Sequence, residues 1–265
     1  MPATVAALWR YPVKSMQGVP TESLRIGVRG VAGDRRYAVV DAASDRTLSA
    51  KSTAELLLAS VDDDGHAVVL TLPAGQTITA DDPDIDDVLS AWIGRPVTLA
   101  EADAGDEPLT YDERSRSYEM TFEPEHDEAE RVAIPSPAGT FLDLAAVHVL
   151  TTSSIARCRE ERPETDWDVR RFRPNVLVDL GSSDGAGFPE DKWVGRRVRV
   201  GGAVISVDQR TVRCAMPLRA QPGGIERDIE VFRTMNALHE NHLGVYCSVV
   251  EPGDVHIGDP IEVLG

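Results

Sequence analysis

The sequence predicts a mainly β protein with a few helices, arranged as two β-barrel-like domains with some α/β elements. Short runs rich in apolar and β-branched residues recur along the chain, and glycine, proline and aspartate separate them. This pattern is typical of barrels and sandwiches rather than of a parallel sheet. The chain has 265 residues, more than a single domain usually has but suitable for two modest ones.

Six runs are predicted as strands: 4–10, 36–42, 66–72, 175–180, 198–207 and 243–251. One of them contains Gly201 and Gly202 between two β-branched stretches. Because glycine tolerates positive φ at both central positions of a two-residue turn, this pair predicts a β-hairpin.

Three segments have the features of helices: 82–94, 151–161 and 226–240. The first begins with acidic residues and has Gly94 just beyond its end, as the helix dipole and the usual C-terminal stop favour. The second has threonine and serine as possible caps and stops before Pro163. The third places four apolar residues on one stripe, as expected of an amphipathic surface helix: Ile229, Phe232, Met235 and Leu238.

The segment from about 101 to 135 is polar, acidic and without clear periodicity. It is predicted to be a long loop or a connection between domains. The expected division is therefore a first domain over 1–130 and a second over 131–265.

Composition limits the functions that the chain can have. Its formal net charge of −17 argues against nucleic acid or an anionic membrane as a partner, because phosphate surfaces attract basic proteins. Its apolar runs are too short to span a bilayer, and its N-terminus reads as mature protein. The odd number of cysteines, three, fits a reducing compartment, so the expected location is the cytoplasm.

Positive charge is nevertheless concentrated in three short segments, 10–15, 34–37 and 169–173. Lys14 and Ser15 offer an ammonium and a hydroxyl side by side, both suited to phosphate. In the second segment Arg35 could join them. The alternatives are a solvated lysine at a strand end and ordinary surface pairs of the arginines with Asp34.

The third segment is the densest in arginine and lies directly before an apolar strand. Arg173 brings a planar fork suited to phosphate or carboxylate, and Asn175 brings an amide suited to the edge of a heterocycle. The alternative is that the arginines pair with Asp166 and Asp168.

Cys214 is the strongest candidate for chemistry among the cysteines, because it follows Arg213 and a neighbouring cation favours the thiolate. Thiolates are both nucleophiles and soft-metal ligands. Cys158 and Cys247 have the sequence surroundings of small core residues. A structural zinc site at His239, His242 and Cys247 is disfavoured by the spacing, and His148 has the surroundings of a core histidine.

The motifs YPVKS, GDRRYAVVD, RFRPN, VRC and GVYCSVVEPGDVHIGDPIEV occur in this order across almost the whole chain. Together they resemble the MOSC family: residues 1 to about 130 resemble its N-terminal β-barrel domain, and the rest resembles the MOSC domain. The resemblance implies a molybdenum cofactor of the molybdopterin type, with the thiolate of Cys214 as the protein ligand to molybdenum.

The resemblance also implies roles for residues of the three cationic segments. Lys14, Ser15 and Arg35 would hold the cofactor phosphate, while Arg173 and Asn175 would contact the phosphate or the pterin from the second domain. Apart from the resemblance, the concentration of cations predicts a basic cleft between the two domains, with Lys14, Ser15 and Arg35 on one side and Arg173, Asn175 and Arg213 on the other. Relatives often carry arginine where this chain has Lys51, and the resemblance assigns that lysine no role.

Two classes of function remain open. The first is an oxidoreductase of the amidoxime-reducing-component type, which reduces small N-hydroxylated or N-oxide substrates and takes electrons from a separate donor protein or reductase, since no cysteine-rich tail for an iron-sulfur cluster is present. The second is a sulfur-transfer or cofactor carrier protein with a persulfide on Cys214. An association with pyridoxal phosphate is less attractive, because a Schiff base needs a lysine and the chain has three.

Overall fold

The computed structural model describes residues 2–103, 105–120, 132–181 and 187–265. Within these ranges the chain is mainly β, as predicted. The strands are β1 (Thr4–Arg10), β2 (Val19–Thr21), β3 (Ser23–Gly27), β4 (Gly30–Val31), β5 (Tyr37–Asp41), β6 (Ser60–Asp63), β7 (Val68–Thr71), β8 (Thr77–Thr79), β9 (Val97–Glu101), β10 (Ser117–Met120), β11 (Val132–Pro135), β12 (Val147–Thr151), β13 (Val176–Asp179), β14 (Arg197–Val200), β15 (Ala203–Val212), β16 (His242–Glu251), β17 (Gly253–His256) and β18 (Ile261–Val263). The α-helices are α1 (Ile85–Ile93), α2 (Thr152–Glu161) and α3 (Glu230–His239).

The largest sheet has eight strands in the order β18-β14-β15-β16-β12-β13-β1-β2. All neighbours are antiparallel except β12 and β13, which are parallel. A parallel pair needs a crossover, and α2 lies in the connection between these two strands. Because β1 and β2 pair within a sheet whose other strands follow residue 131, the two ends of the chain meet here. The division into 1–130 and 131–265 stays a prediction.

Smaller sheets complete the fold. β3 pairs with β4 and β17, β5 with β9, β7 with both β6 and β8, and β10 with β11. The pairing of β3 with β17 is a second link between the beginning and the end of the chain. Of the helices in the described ranges, none is long and apolar enough to cross a membrane.

Successive residues of a strand point to opposite faces of the large sheet, so they pack in different core clusters. In β12, Val149 packs in one cluster with β3, β15 and β17, while the next residue, Leu150, packs in another cluster under α2 and α3. The two faces of the large sheet are thus both covered. A third cluster is built mainly from residues 13–97 and also includes Met216, so the segment just after Cys214 packs against the first part of the chain.

The local predictions agree well with these elements. All six predicted strand runs contain strands, and Val200 pairs with Ala203 across the Gly201-Gly202 turn, where Gly201 has a φ of 54°. Gly94 caps α1 in the left-handed conformation. The side chain of Thr151 accepts a hydrogen bond from the backbone N–H of Ser154 at the start of α2.

The prediction that 101–135 is a loop or connection is wrong in part. β10 and β11 form an antiparallel pair within it, and Tyr118 is fully buried. The polar composition hid these strands, because their pairing and the burial of one aromatic ring depend on distant parts of the chain. Residues 121–131 of that segment lie outside the described residues.

Candidate functional site

A single cavity gathers the residues that the sequence singled out. Its lining includes all seven predicted site residues: Lys14, Ser15, Arg35, Arg173, Asn175, Arg213 and Cys214. Residues that sequence reasoning did not assign to the site also line it, among them Lys51, Asp143, His148 and Tyr246. The three cation-rich segments and the candidate cysteine therefore share one place in the fold, although their roles toward a ligand stay predictions.

Backbone strain marks three of the lining positions. Ser15, Arg35 and Arg173 have φ values of 68°, 49° and 55°, in the left-handed region that residues with a Cβ rarely adopt. Such conformations cost free energy and are found preferentially where a site requires them. Ser15 and Arg173 are the last residues of their cationic segments and Arg35 lies within the second, so the strain helps to turn these side chains into the cavity.

One end of the cavity holds a buried cluster of charges. The ammonium of Lys14 donates to the carboxylate of Asp143 and, at 2.7 Å, to the carbonyl of Phe141. The ammonium of Lys51 lies 2.8 Å from the other carboxylate oxygen. Both nitrogens lie over the ring of Tyr118, at 4.4 and 4.2 Å from its centroid. A carboxylate and an aromatic face thus share the charge of the two lysines.

Titration of this cluster follows from its burial. Burial lowers the pKa of Lys14 to about 8, a net result in which the attraction of Asp143 opposes the lowering and the charge of Lys51 adds to it. Burial opposes ionisation of Asp143 as well, yet the two ammonium groups hold the pKa of its carboxyl well below the usual range. At neutral pH the cluster therefore carries two positive charges and one negative charge.

Arg173 is a cation without a carboxylate partner among the described residues. It is 7% exposed, its Nη1 donates to the carbonyl of Met16 at 2.5 Å, and its guanidinium lies 4.1 Å from the centroid of the Tyr11 ring. Burial lowers its pKa to about 10, so it stays charged at neutral pH. A buried cation with no counter-ion is a favourable partner for an anionic ligand.

Arg213 is held by carbonyl groups. Its Nη2 donates to the carbonyl of Phe172 at 2.7 Å, and its Nε is buried without a hydrogen-bond partner among the described residues. The Nε2 of His148 lies 3.5 Å from its Nη1. Burial, followed by the charge of Arg213, lowers the pKa of His148 to about 3, so this imidazole is neutral.

Cys214 lies between the end of β15 and a short 3-10 helix, Met216–Leu218. The guanidinium of Arg171 fixes this helix by donating to the carbonyl of Pro217 at 3.1 Å. Cys214 is partly exposed, whereas Cys158 and Cys247 are fully buried. Cys214 lines the cavity, while Cys158 and Cys247 lie in core clusters, as their sequence surroundings indicated.

Ser15 and Asn175 also serve the fold. The Ser15 hydroxyl oxygen accepts the backbone N–H of Ala50 at 3.0 Å, which leaves its proton free to donate. The Asn175 amide oxygen accepts the backbone N–H of His148 at 3.1 Å, and its nitrogen lies 3.4 Å from the carbonyl of Trp9. Asn175 thus has one amide proton left for a ligand.

The alternative of surface pairing applies to some arginines only. Arg170 pairs with Asp168 at 2.7 Å and Arg171 with Asp166 at 3.3 Å, so the expected pairing holds for these two and not for Arg173. Arg35 pairs with Asp34 and still lines the cavity. Among the described residues, no group of three or more histidine, cysteine or acidic side chains could hold a metal ion.

The missed residues gave weak signals in the sequence. Asp143 lies four positions before a strand, in a segment with no charge pattern around it. His148 was expected to be a satisfied core histidine; it is buried and hydrogen-bonded, and it also lines the cavity. Tyr246 follows the glycine of an apolar strand, where an aromatic residue is ordinary.

The cavity is strongly cationic in an acidic chain. Five cationic side chains line it against the single carboxylate of Asp143, while the whole chain has a formal net charge of −17. Such a cavity attracts an anion, and Cys214 lies in the same lining. An unpaired buried arginine, an unpartnered guanidinium N–H and an accessible thiol together fit a phosphorylated cofactor whose metal binds a thiolate.

Comparison with known proteins agrees with this description. Residues 2–107 match the family model of the MOSC N-terminal beta barrel domain, and residues 138–262 match that of the MOSC domain. Human mitochondrial amidoxime-reducing component 1 is 25% identical in an alignment of 292 positions that covers 99% of this chain and 83% of that protein. Mitochondrial amidoxime reducing component 2 of Macaca fascicularis is 23% identical, with 97% and 82% covered.

Among solved structures, the YuaD protein from Bacillus subtilis matches with a TM-score of 0.48 and 14% identity. The match covers 99% of this chain and 96% of that one.

Proposed function

Because this chain belongs to the MOSC family, with a MOSC N-terminal beta barrel domain followed by a MOSC domain, we propose that it is a molybdenum-cofactor oxidoreductase. Its substrates are small N-hydroxylated or N-oxide compounds, from which it removes one oxygen atom by a two-electron reduction. The similarity to amidoxime-reducing components supports this substrate class.

The observation that carries the proposal is the position of Cys214. Its partly exposed thiol lies in the lining of a cavity in which five cations oppose one carboxylate. A thiolate is the form that binds a soft metal. The two other cysteines are buried and are not part of this lining, so neither competes for the role.

The cationic side chains are the groups that would hold the cofactor. Lys14, Ser15 and Arg35 offer an ammonium, a free hydroxyl proton and a guanidinium to its phosphate. Arg173, Asn175 and Arg213, which line the same cavity, offer two guanidinium groups and one amide proton. When bound, the cofactor supplies the two-electron redox chemistry, and Cys214 is its protein ligand.

The chain's own residues also hold protons for the reaction. Cleavage of an N–O bond by two electrons consumes two protons and releases water. The Nζ of Lys14, with its pKa lowered to about 8, gives up a proton more readily than an ordinary lysine and is suited to proton transfer near neutral pH.

Electrons come from a separate donor protein in this proposal. Of the three cysteines, Cys158 and Cys247 are buried in different core clusters. An iron-sulfur cluster needs several cysteines converging on one site. The described residues offer no such arrangement, and the proposal therefore assigns the supply of electrons to a separate protein.

Metal and sulfur analysis tests the proposal. The protein should be produced in a host that makes the cofactor, as wild type, as Cys214→Ser and as a control, Cys158→Ala. We expect about one molybdenum per chain in wild type and control, and almost none in Cys214→Ser. Cyanide-releasable sulfur on wild type without molybdenum would instead favour the persulfide carrier and contradict the oxidoreductase.

A further inference from the structure

The three cation-rich segments of the sequence meet at one aromatic residue, Tyr11. It is 2% exposed and is not among the residues that line the cavity. Any effect that it has on a ligand must therefore pass through its neighbours. Those neighbours are the arginines of the other two segments.

The Tyr11 ring supports two guanidinium groups. The guanidinium carbon of Arg173 lies 4.1 Å from the ring centroid, and that of Arg35 lies 5.1 Å from it. The two arginines repel each other, and Arg173 has no carboxylate partner in the described part of the chain. The negative face of an aromatic ring attracts cations, most strongly where water is excluded. The ring thus offsets a repulsion that would otherwise separate the pair.

Hydrogen bonds also tie Tyr11 to the other two segments. The Tyr11 N–H donates to the carboxylate of Asp34 at 2.7 Å, and its carbonyl accepts the N–H of Arg35 at 2.7 Å. Its hydroxyl donates to the carbonyl of Pro174 at 3.0 Å, directly after Arg173. Both arginines are therefore fixed at the backbone as well as at the side chain.

Gly18 provides space for this ring. A Cβ at position 18 would lie 2.3 Å from Cε1 of Tyr11, well inside van der Waals contact. The glycine is not in the left-handed region, so alanine is acceptable to the backbone there. Alanine at this position would displace the ring while leaving its chemistry unchanged.

We propose that Tyr11 is a positioning residue that holds Arg35 and Arg173 together as a two-guanidinium site for a phosphate dianion. The proposal rests on the proposed function only for the identity of that anion, the phosphate group of the cofactor. Binding of the anion itself requires neither molybdenum nor Cys214.

Calorimetric titration of the cofactor-free protein with inorganic phosphate tests this role. The variants are Tyr11→Leu, which removes the ring; Tyr11→Phe, which keeps the ring and loses the hydroxyl; and Gly18→Ala, which displaces the ring. Val200→Ala is the control, because it opens a cavity in the core at a side chain 1% exposed that is absent from the site lining.

We expect Tyr11→Leu and Gly18→Ala to bind phosphate about tenfold more weakly, the loss of roughly one desolvated cation–π contact. Tyr11→Phe should restore affinity to within about twofold of wild type. In an Arg173→Ala background, Tyr11→Leu should have little further effect, since the two residues act through one contact. Val200→Ala should bind like wild type.

The proposal would be overturned if Gly18→Ala and Tyr11→Leu both bound phosphate as tightly as wild type. It would also be overturned if the wild-type protein did not bind phosphate. If Tyr11→Leu fails to fold, Gly18→Ala decides alone. Phosphate binding without molybdenum loading would count against the proposed function and leave this inference standing. If the protein loads molybdenum but both variants bind phosphate like wild type, the proposed function stands and the role of Tyr11 is refuted.

Discussion

Mild acid should destabilise the protein through His148. This side chain is 6% exposed, its Nδ1 lies 3.2 Å from the carbonyl oxygen of Arg173, and its Nε2 faces the guanidinium of Arg213. A guanidinium can only donate, so Nε2 presents its lone pair and Nδ1 carries the proton. Burial and the charge of Arg213 lower the pKa of His148 to about 3.

The size of the effect follows from proton linkage. The ordinary pKa of the imidazole is 6.5, so the unfolded chain binds a proton here as the pH falls from 7 to 5, while the folded chain does not. Because the folded pKa is depressed, the stabilising contribution is present above pH 6.5 and is lost as the pH falls toward 3. Between pH 7 and pH 5 this single group removes about 2 kcal/mol from the free energy of unfolding.

Urea denaturation at the two pH values measures this contribution. His148→Gln keeps an amide donor and removes the titrating group, so its loss of stability between pH 7 and pH 5 should be about 2 kcal/mol smaller than that of wild type. His66→Gln, at an exposed position, is the matched control for removing an imidazole. Equal losses in wild type and His148→Gln would refute a neutral, buried His148.

Three further predictions concern other residues of the site and its support. Cys214→Ser should change the free energy of unfolding by less than about 1 kcal/mol, whereas Cys247→Ser should cost about 1–3 kcal/mol because it buries a hydroxyl, as urea denaturation can show. Arg171→Met should leave three backbone carbonyls without their donor and lower the free energy of unfolding by about 2–4 kcal/mol. Because one of these carbonyls belongs to the 3-10 helix after Cys214, the variant should also speed alkylation of Cys214 by iodoacetamide. An unchanged alkylation rate would argue against the support of this segment by Arg171. Asp143→Asn should lower the free energy of unfolding by about 2–3 kcal/mol, because two buried ammonium groups lose their counter-ion. This figure already allows for the partial exposure of Asp143. Unchanged thermal stability would contradict the pairing of Asp143 with the two lysines.

Local signals explain what the sequence could predict. The Gly201-Gly202 hairpin and the C-terminal ends of the helices depend on a few adjacent residues, and they appear in the structure within one residue of where the sequence placed them, whereas α1 and α3 begin three and four residues later than predicted. The cationic segments and the cysteine beside Arg213 stand out for the same reason, because charge and neighbouring residues can be read directly from the chain. The sequence therefore identified the thiol and four of the five cations of the candidate site, but not Lys51.

Long-range contacts explain what it could not predict. Lys14 and Asp143 are 129 residues apart in sequence, and no local pattern joins them. Tyr118 lies in a polar segment that gives no sign of burial, yet its ring contacts both lysines of the cluster. The seating of Tyr11 against Gly18 likewise depends on the folded backbone. Counter-ions and aromatic supports thus became visible only in three dimensions.

The most direct test of the account is the reduction of an amidoxime by cofactor-loaded protein. Under anaerobic conditions, with a chemically reduced viologen dye as electron donor, we expect one amidine formed for every two electrons taken from the dye. Cys214→Ser should form none, and Cys158→Ala should form as much as wild type. Protein that holds one molybdenum per chain and yet forms no amidine from the reduced dye would contradict the proposed reaction.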